Sequence, residues 1–211
     1  MVNKKVENGM KTKMKFYYLI TISIFTALLF SCGSSSSNFY ILTPSNNYQQ
    51  INSNTENDIS IGIGNLEFPD YLLKPQIVTY TKNNEIFFDE YNRWAEPLNE
   101  NFTHIVLENL SNMIPTNNIY LFMWPEEKSN IFQITIKIDQ FGMSSDSTVV
   151  LAARWAVSTS NEMAFLMTEK SSYQERITNL DYNQITVAMS KLTEEFCKDI
   201  AAEVKERASK N

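Results

Sequence analysis

The sequence predicts an α/β fold: one domain in which a mixed β-sheet carries two long helices. Three observations predict it. Phe132, Ile134, Ile136 and Ile138 alternate strictly with Gln133, Thr135, Lys137 and Asp139, the pattern of a strand with one buried and one wet face. Apolar residues recur at three- and four-residue spacing over Leu98–Met113 and again over Tyr182–Arg207. Each of these helical stretches follows a group of strands, as expected for helices packed on a sheet.

The elements follow in order. Phe39–Leu42 reads as a short strand, and the polar stretch from Pro44 to Asp58 separates it from the next. Ile59, Ile61 and Ile63 keep one phase and Leu66 and Phe68 the other, so the switch at Gly64-Asn65 predicts a bulge in one long strand. Ile77–Tyr80 and Glu85–Phe88 flank Lys82-Asn83-Asn84, a hairpin pattern. Leu98, Phe102, Ile105, Val106, Asn109, Leu110 and Met113 form the stripe of the first helix, which Pro115 closes. Val149, Leu151, Ala153, Trp155 and Val157 make a further strand, and Glu162–Lys170 is expected to pair with it across Ser158–Asn161. The last helix buries Ile185, Ala188, Met189, Leu192, Phe196, Ile200 and Val204, with Asp181 as its expected cap.

Before the fold comes a different kind of segment. Lysines up to Lys15 precede an uncharged run, Phe16–Phe30. Fifteen residues suit a signal-peptide core and fall short of the roughly 20 that a spanning helix needs. The run ends in Leu29-Phe30-Ser31-Cys32-Gly33, which resembles a bacterial lipobox with Cys32 as the lipidated residue; an uncleaved signal anchor is the alternative. The expected organisation is a signal peptide over 1–31, a lipidated cysteine with a Ser-rich tether over 32–38, and a single α/β domain over 39–211. With Cys32 acylated, Cys197 is the only thiol left, so stability rests on core packing.

Charge and composition exclude much. Residues 1–31 hold five lysines and one acid, leaving thirteen basic against twenty-three acidic residues in the remainder. A body this acidic has no footprint for nucleic acid, and anionic headgroups repel it, so membrane attachment needs an anchor. One histidine, two cysteines and five glycines leave no two-imidazole metal centre, no four-thiolate zinc site and no glycine-rich phosphate loop. No cofactor is expected. His104 on the first helix reads as a flanking residue, and Cys197 as a structural thiol rather than a nucleophile. Nothing assembles an acid, a base and a nucleophile, so the expectation is a protein that is not an enzyme.

The segment Pro69–Pro97 stands out because it gathers Asp70, Tyr71, Lys74, Tyr80, Arg93, Trp94 and Glu96 among three prolines. Two readings are open. It is a recognition surface, with Asp70, Tyr71, Lys74, Arg93, Trp94 and Glu96 as partner-binding residues, or it is an internal lock in which Arg93 or Lys74 pairs with a carboxylate while Trp94 plugs the sheet edge.

Here the sequence resembles the ABC-type transport auxiliary lipoproteins, the family that includes the PqiC subunit of membrane-integrity transporters. The matching text is Ile61-Gly-Ile-Gly64, Phe68-Pro-Asp-Tyr-Leu72, Pro75-Gln-Ile-Val78 and above all Arg93-Trp-Ala-Glu-Pro-Leu98. Phe39-Tyr-Ile-Leu42, Ala153-Arg-Trp155 and Asp181-Tyr182 match further. The resemblance implies a three-layer α/β domain with a mixed sheet, similar to the TolB N-terminal domain. It also implies a lipoprotein facing the periplasm, on the outer membrane since Gly33 is not the Asp of inner-membrane retention. The implied partners are an MCE-type (mammalian-cell-entry) substrate-binding protein with its permease and ATPase, in a system moving lipids or hydrophobic compounds between membranes; self-association is left open. Two rivals stand beside it: a lipid carrier whose Met and Phe residues line a cavity, and a small envelope hydrolase that needs a clustered Ser, acid and His104.

Overall fold

The computed structural model describes residues 17–19, 36–45, 59–82, 85–114, 116, 118–121, 131–159, 169–178 and 181–210. Cys32, Pro115, most of the polar stretch before Asp58 and the expected strand from Glu162 lie wholly or largely outside them. The chain forms two compact units, Met1–Ser36 and Ser37–Asn211. In the first, Tyr17–Leu19 form a turn of helix.

The second unit runs β1 (Asn38–Tyr40), β2 (Ser60–Glu67), a 3-10 turn (Asp70–Leu73), β3 (Gln76–Tyr80), β4 (Ile86–Trp94), α1 (Leu98–Met113), β5 (Asn118–Leu121), β6 (Ile131–Met143), β7 (Thr148–Thr159), β8 (Glu169–Arg176) and α2 (Tyr182–Ala208). The strands form one mixed sheet. β6, β7 and β8 make an antiparallel ladder. Along the other edge of β6 two strands stand end to end. β2 runs parallel to it from Ser60↔Ile131 to Glu67↔Lys137, and β3 meets it at Thr79↔Met143. β2 continues outward to β5, and β3 to β4 and then β1, so the sheet forks at β6.

Several expected features are present. β2 shifts register between Ile63 and Leu66, where the phase of its apolar residues changes. The hairpin pairs Val78 with Phe88 and Tyr80 with Ile86. Asp181 caps α2 by accepting the Asn183 N–H at 3.1 Å. The described partner of β7 is Glu169–Arg176, with Trp155 opposite Glu169 and Thr148 opposite Arg176, so it takes in the last two residues of the expected strand and runs on beyond it. That strand lies at the sheet edge and reads Glu-Lys-Ser-Ser-Tyr-Gln-Glu-Arg, so it carries almost none of the apolar alternation on which a strand is recognised.

Packing settles the layers. Phe102 of α1 meets Phe141 of β6 edge-on at 5.4 Å and Phe196 of α2 at 6.4 Å; Phe196 in turn meets Trp155 of β7 and Tyr173 of β8. Both long helices therefore cover the same face of the mixed sheet, and the described residues show two layers where the resemblance implies three. The buried phases of β2, β6 and β7 are continuous with the stripes of both helices in one core, and each fully buried large side chain contributes about 1.5–3 kcal/mol.

Candidate functional site

Pro69 and the residues after it start where β2 ends. Pro69, with φ near −60°, opens the 3-10 turn, and its carbonyl accepts the Leu72 N–H at 2.9 Å. The turn fills the gap along β6 between its contacts with β2 and β3. In that gap β6 has its own bulge, between Ile138 and Gln140. Two tyrosines replace the missing strand there. The Tyr71 hydroxyl donates to the Asp139 carbonyl at 3.2 Å, and the Tyr80 hydroxyl accepts the Phe141 N–H and donates to Tyr71 Oη, each at 3.3 Å. Burial and the Tyr71 hydroxyl push the Tyr80 phenol well above its ordinary pKa, so it stays a donor at all physiological pH. Gly142 lies under this pair with φ +153°; a Cβ there would come within 2.8 Å of the Val78 carbonyl oxygen.

β4 holds the second half of the segment. Gln76 faces Arg93 and Val78 faces Phe88, so Ile77 alone on β3 spans Asp89 through Asn92 on β4. Asp89 stitches this wide bulge. One carboxylate oxygen accepts the N–H groups of Tyr91 and Asn92 at 2.8 and 2.9 Å, and the other accepts the Tyr182 hydroxyl at 2.9 Å. Burial opposes the Asp89 charge, yet the hydrogen bonds from Tyr91, Tyr182 and Asn92 outweigh it and hold the carboxyl below the usual range. Asn92 in turn accepts from Asn38 Nδ2 and the Tyr40 hydroxyl at 3.2 and 3.0 Å, which ties β1 to the same knot.

The six predicted site residues thus separate. Trp94 is 5% exposed, in the core, with its backbone N–H on the Pro75 carbonyl at 2.8 Å. Tyr71 is half-buried and committed to β6. Asp70 and Lys74 are exposed, while Arg93 and Glu96 are half-buried. Neither Arg93 nor Lys74 enters an ion pair among the described residues, so the carboxylate partner of the lock reading is not found there.

Sequence reasoning missed a second clasp. Asn101 and Asn109 of α1 are buried: Asn101 Oδ1 accepts the Leu42 N–H at 2.7 Å, and Asn109 Oδ1 accepts the Ser45 N–H at 3.1 Å. Ser190 of α2 accepts the Thr43 N–H at 3.1 Å. The chain leaving β1 is therefore satisfied by side chains from both helices rather than by a strand. The signal was present as two asparagines at core positions of the α1 stripe, which must find partners. Cys197 lies beside Asn109, and burial raises its thiol to about 12, so it is inert at neutral pH.

His104, Leu107, Glu108 and Ser111 of α1, with Thr116 and Ile119, line an open groove of about 540 Å³. It gathers His, Glu and Ser, but the Ser111 hydroxyl donates to the Glu108 carbonyl at 2.8 Å. His104 stands two turns away along the helix, roughly 10 Å, beyond hydrogen-bond reach of Ser111. Among the described residues no three His, Cys, Asp or Glu side chains are placed to hold a metal ion.

The class defined by these features is a small α/β domain with a forked mixed sheet and two long helices. The chain belongs to the family of ABC-type transport auxiliary lipoprotein components, whose family model matches residues 40–201. Two solved structures share the fold. An uncharacterized protein aligns at 16% identity over 81% of this chain and 99% of its own, with a TM-score of 0.66. A Xanthomonas campestris protein of the DUF330 model, which is the same family, aligns at 12% identity over 83% of this chain and 98% of its own, with a TM-score of 0.56. No curated protein matches the chain. Membership makes it an accessory lipoprotein of ABC-type transport, associated with the cell envelope.

Proposed function

We propose that the chain is a non-catalytic subunit, anchored through lipid on Cys32, that docks an MCE-type substrate-binding protein with its permease and ATPase against the outer membrane from the periplasmic side. The system moves lipids or other hydrophobic compounds between membranes. The observation that carries the reading is the family match beginning at residue 40, eight residues beyond the lipobox-like cysteine. An acidic domain on so short a leash is confined near one membrane, which raises its effective concentration for a partner. Within the Pro69–Pro97 segment, Asp70, Lys74 and Glu96 are the candidates for partner contact, while Tyr71 and Trp94 hold the surface in shape. The packing of Phe102 against both Phe141 and Phe196 supports a solid core rather than the lipid carrier's cavity.

The test is an affinity pull-down from crosslinked envelopes, comparing wild type, Cys32→Ala and Lys74→Glu with Asp70→Lys. Recovery of an MCE-type protein and its ATPase, lost in Cys32→Ala and reduced in the charge reversal, is the expected result. Recovery of lipid alone points to a carrier, and a folded protein that captures neither overturns the docking role.

A further inference from the structure

Within the second unit, the β1–β4 edge carries a conspicuous apolar surface. Phe39 is 65% exposed, Ile41 49% and Tyr91 54%. They share a side. Tyr40 and Trp94 are paired and face the core, so Phe39 and Arg93, also paired, face away from it. Alternation places Ile41 with Phe39, and Tyr91 with Arg93. Arg93 sits amid these residues and makes no ion pair among the described residues; its other neighbour, Gln76, donates to the Glu90 carboxylate at 3.2 and 3.3 Å. The patch therefore combines exposed aromatics, one guanidinium and one carboxylate, with no net charge.

Its position in the chain limits what can cover it. Six residues separate Cys32 from Phe39, and even fully extended they reach only roughly 20 Å. We infer that this face rests on the bilayer beside the anchor, with Phe39, Ile41 and Tyr91 at the headgroup level and Arg93 on a lipid phosphate. The inference rests on acylation of Cys32. Aromatic side chains favour the membrane interface, and guanidinium pairs with phosphate in a fork geometry. An acidic body is repelled by anionic lipid, but a neutral patch with one cation and one anion suits a zwitterionic headgroup. Seating gives the domain a fixed orientation on the membrane.

The test places an environment-sensitive fluorophore on the full, acylated chain in vesicles of phosphatidylethanolamine and phosphatidylcholine. Ile41→Cys reports the patch, and Leu121→Cys, 38% exposed on β5 at the opposite edge of the sheet, reports a surface away from it; Cys197 is buried and stays unlabelled. The expected result is several-fold stronger quenching at position 41 than at 121 by quenchers carried on the lipid chains, abolished when Phe39→Ser, Tyr91→Ser and Arg93→Gln are combined. Equal quenching at the two positions overturns the inference. So does a position 41 shielded from water yet untouched by lipid quenchers, which means that a protein or a second copy covers the face. Retention on the vesicles and the mass of the Cys32 peptide separate the two failures: a retained, acylated chain with an unseated patch refutes the seating alone, and an unmodified Cys32 refutes the anchor and the seating with it.

Discussion

The two sides of the fork in the sheet are held by different physics. Around β6, β7 and α2 the contacts are apolar, with Phe102, Phe141, Phe196 and Trp155 packed ring against ring. Around β3, β4 and β1 the strands are held largely by polar stitching: Tyr71 and Tyr80 on β6, Asp89 across the bulge and onto Tyr182, Asn92 onto β1. Apolar packing is tolerant of direction and collapses around errors, whereas a hydrogen-bond network fails at a single atom. The apolar half should therefore govern global stability, and the polar half the shape of the surface the protein presents.

Phe196→Ala strikes the apolar half at the residue that joins α1, β7 and β8. A cost of about 3–5 kcal/mol is expected, read as a fall in the urea midpoint for the whole domain. Gly142→Ala attacks the seam between the halves, where a Cβ meets the Val78 carbonyl and a side chain must adopt φ +153°. Strain of about 1–3 kcal/mol is expected, accompanied by faster hydrogen exchange in β3. Tyr80→Phe keeps the ring but leaves the buried Phe141 N–H without its acceptor, for a loss of about 1–2 kcal/mol; an equal fall in Phe196→Ala and Tyr80→Phe would abolish the distinction between the halves.

Acid sharpens the same contrast. The Asp89 carboxyl titrates below its unfolded value of about 3.9, so its stabilisation is complete above that pH and is lost as the pH falls through the folded value. Amide exchange in β4 and the first turn of α2 should rise in acid before that of β6 and β7, and Asp89→Asn should remove the difference in pH dependence. The smallest effect belongs to the exposed Glu67–Lys137 pair at 2.9 Å, where Lys137→Ala should cost under about 1 kcal/mol in chemical denaturation.

The apolar half was also the legible half. The stripe Leu98–Met113 and the alternation from Phe132 translate directly into α1 and β6, because burial on one face imposes its period on the sequence. The polar half leaves no period. Asp89 works through a bulge that only the register reveals, and β5 is four residues long, too short to alternate. The edge strand β8 exposes alternate residues on both counts, to solvent on one face and to the sheet margin along its length, and its sequence reads as a polar loop. Within the candidate segment, composition located a surface of interest but could not tell buried Trp94 from exposed Lys74, since both stand near prolines in aperiodic text.

Because β2 and β3 share one edge of β6, the order in which the chain becomes available matters. Among the described residues β2 is bonded to β5 and β6 alone, so it has no strand to join until residues 118 to 143 have arrived, some sixty to seventy positions later. The β6–β7–β8 meander, by contrast, closes through neighbouring segments. Contacts of long sequence separation form late because loop entropy must be overcome first. For a chain delivered from its N-terminus, β2 is then made early and secured late: it waits for β5 and β6.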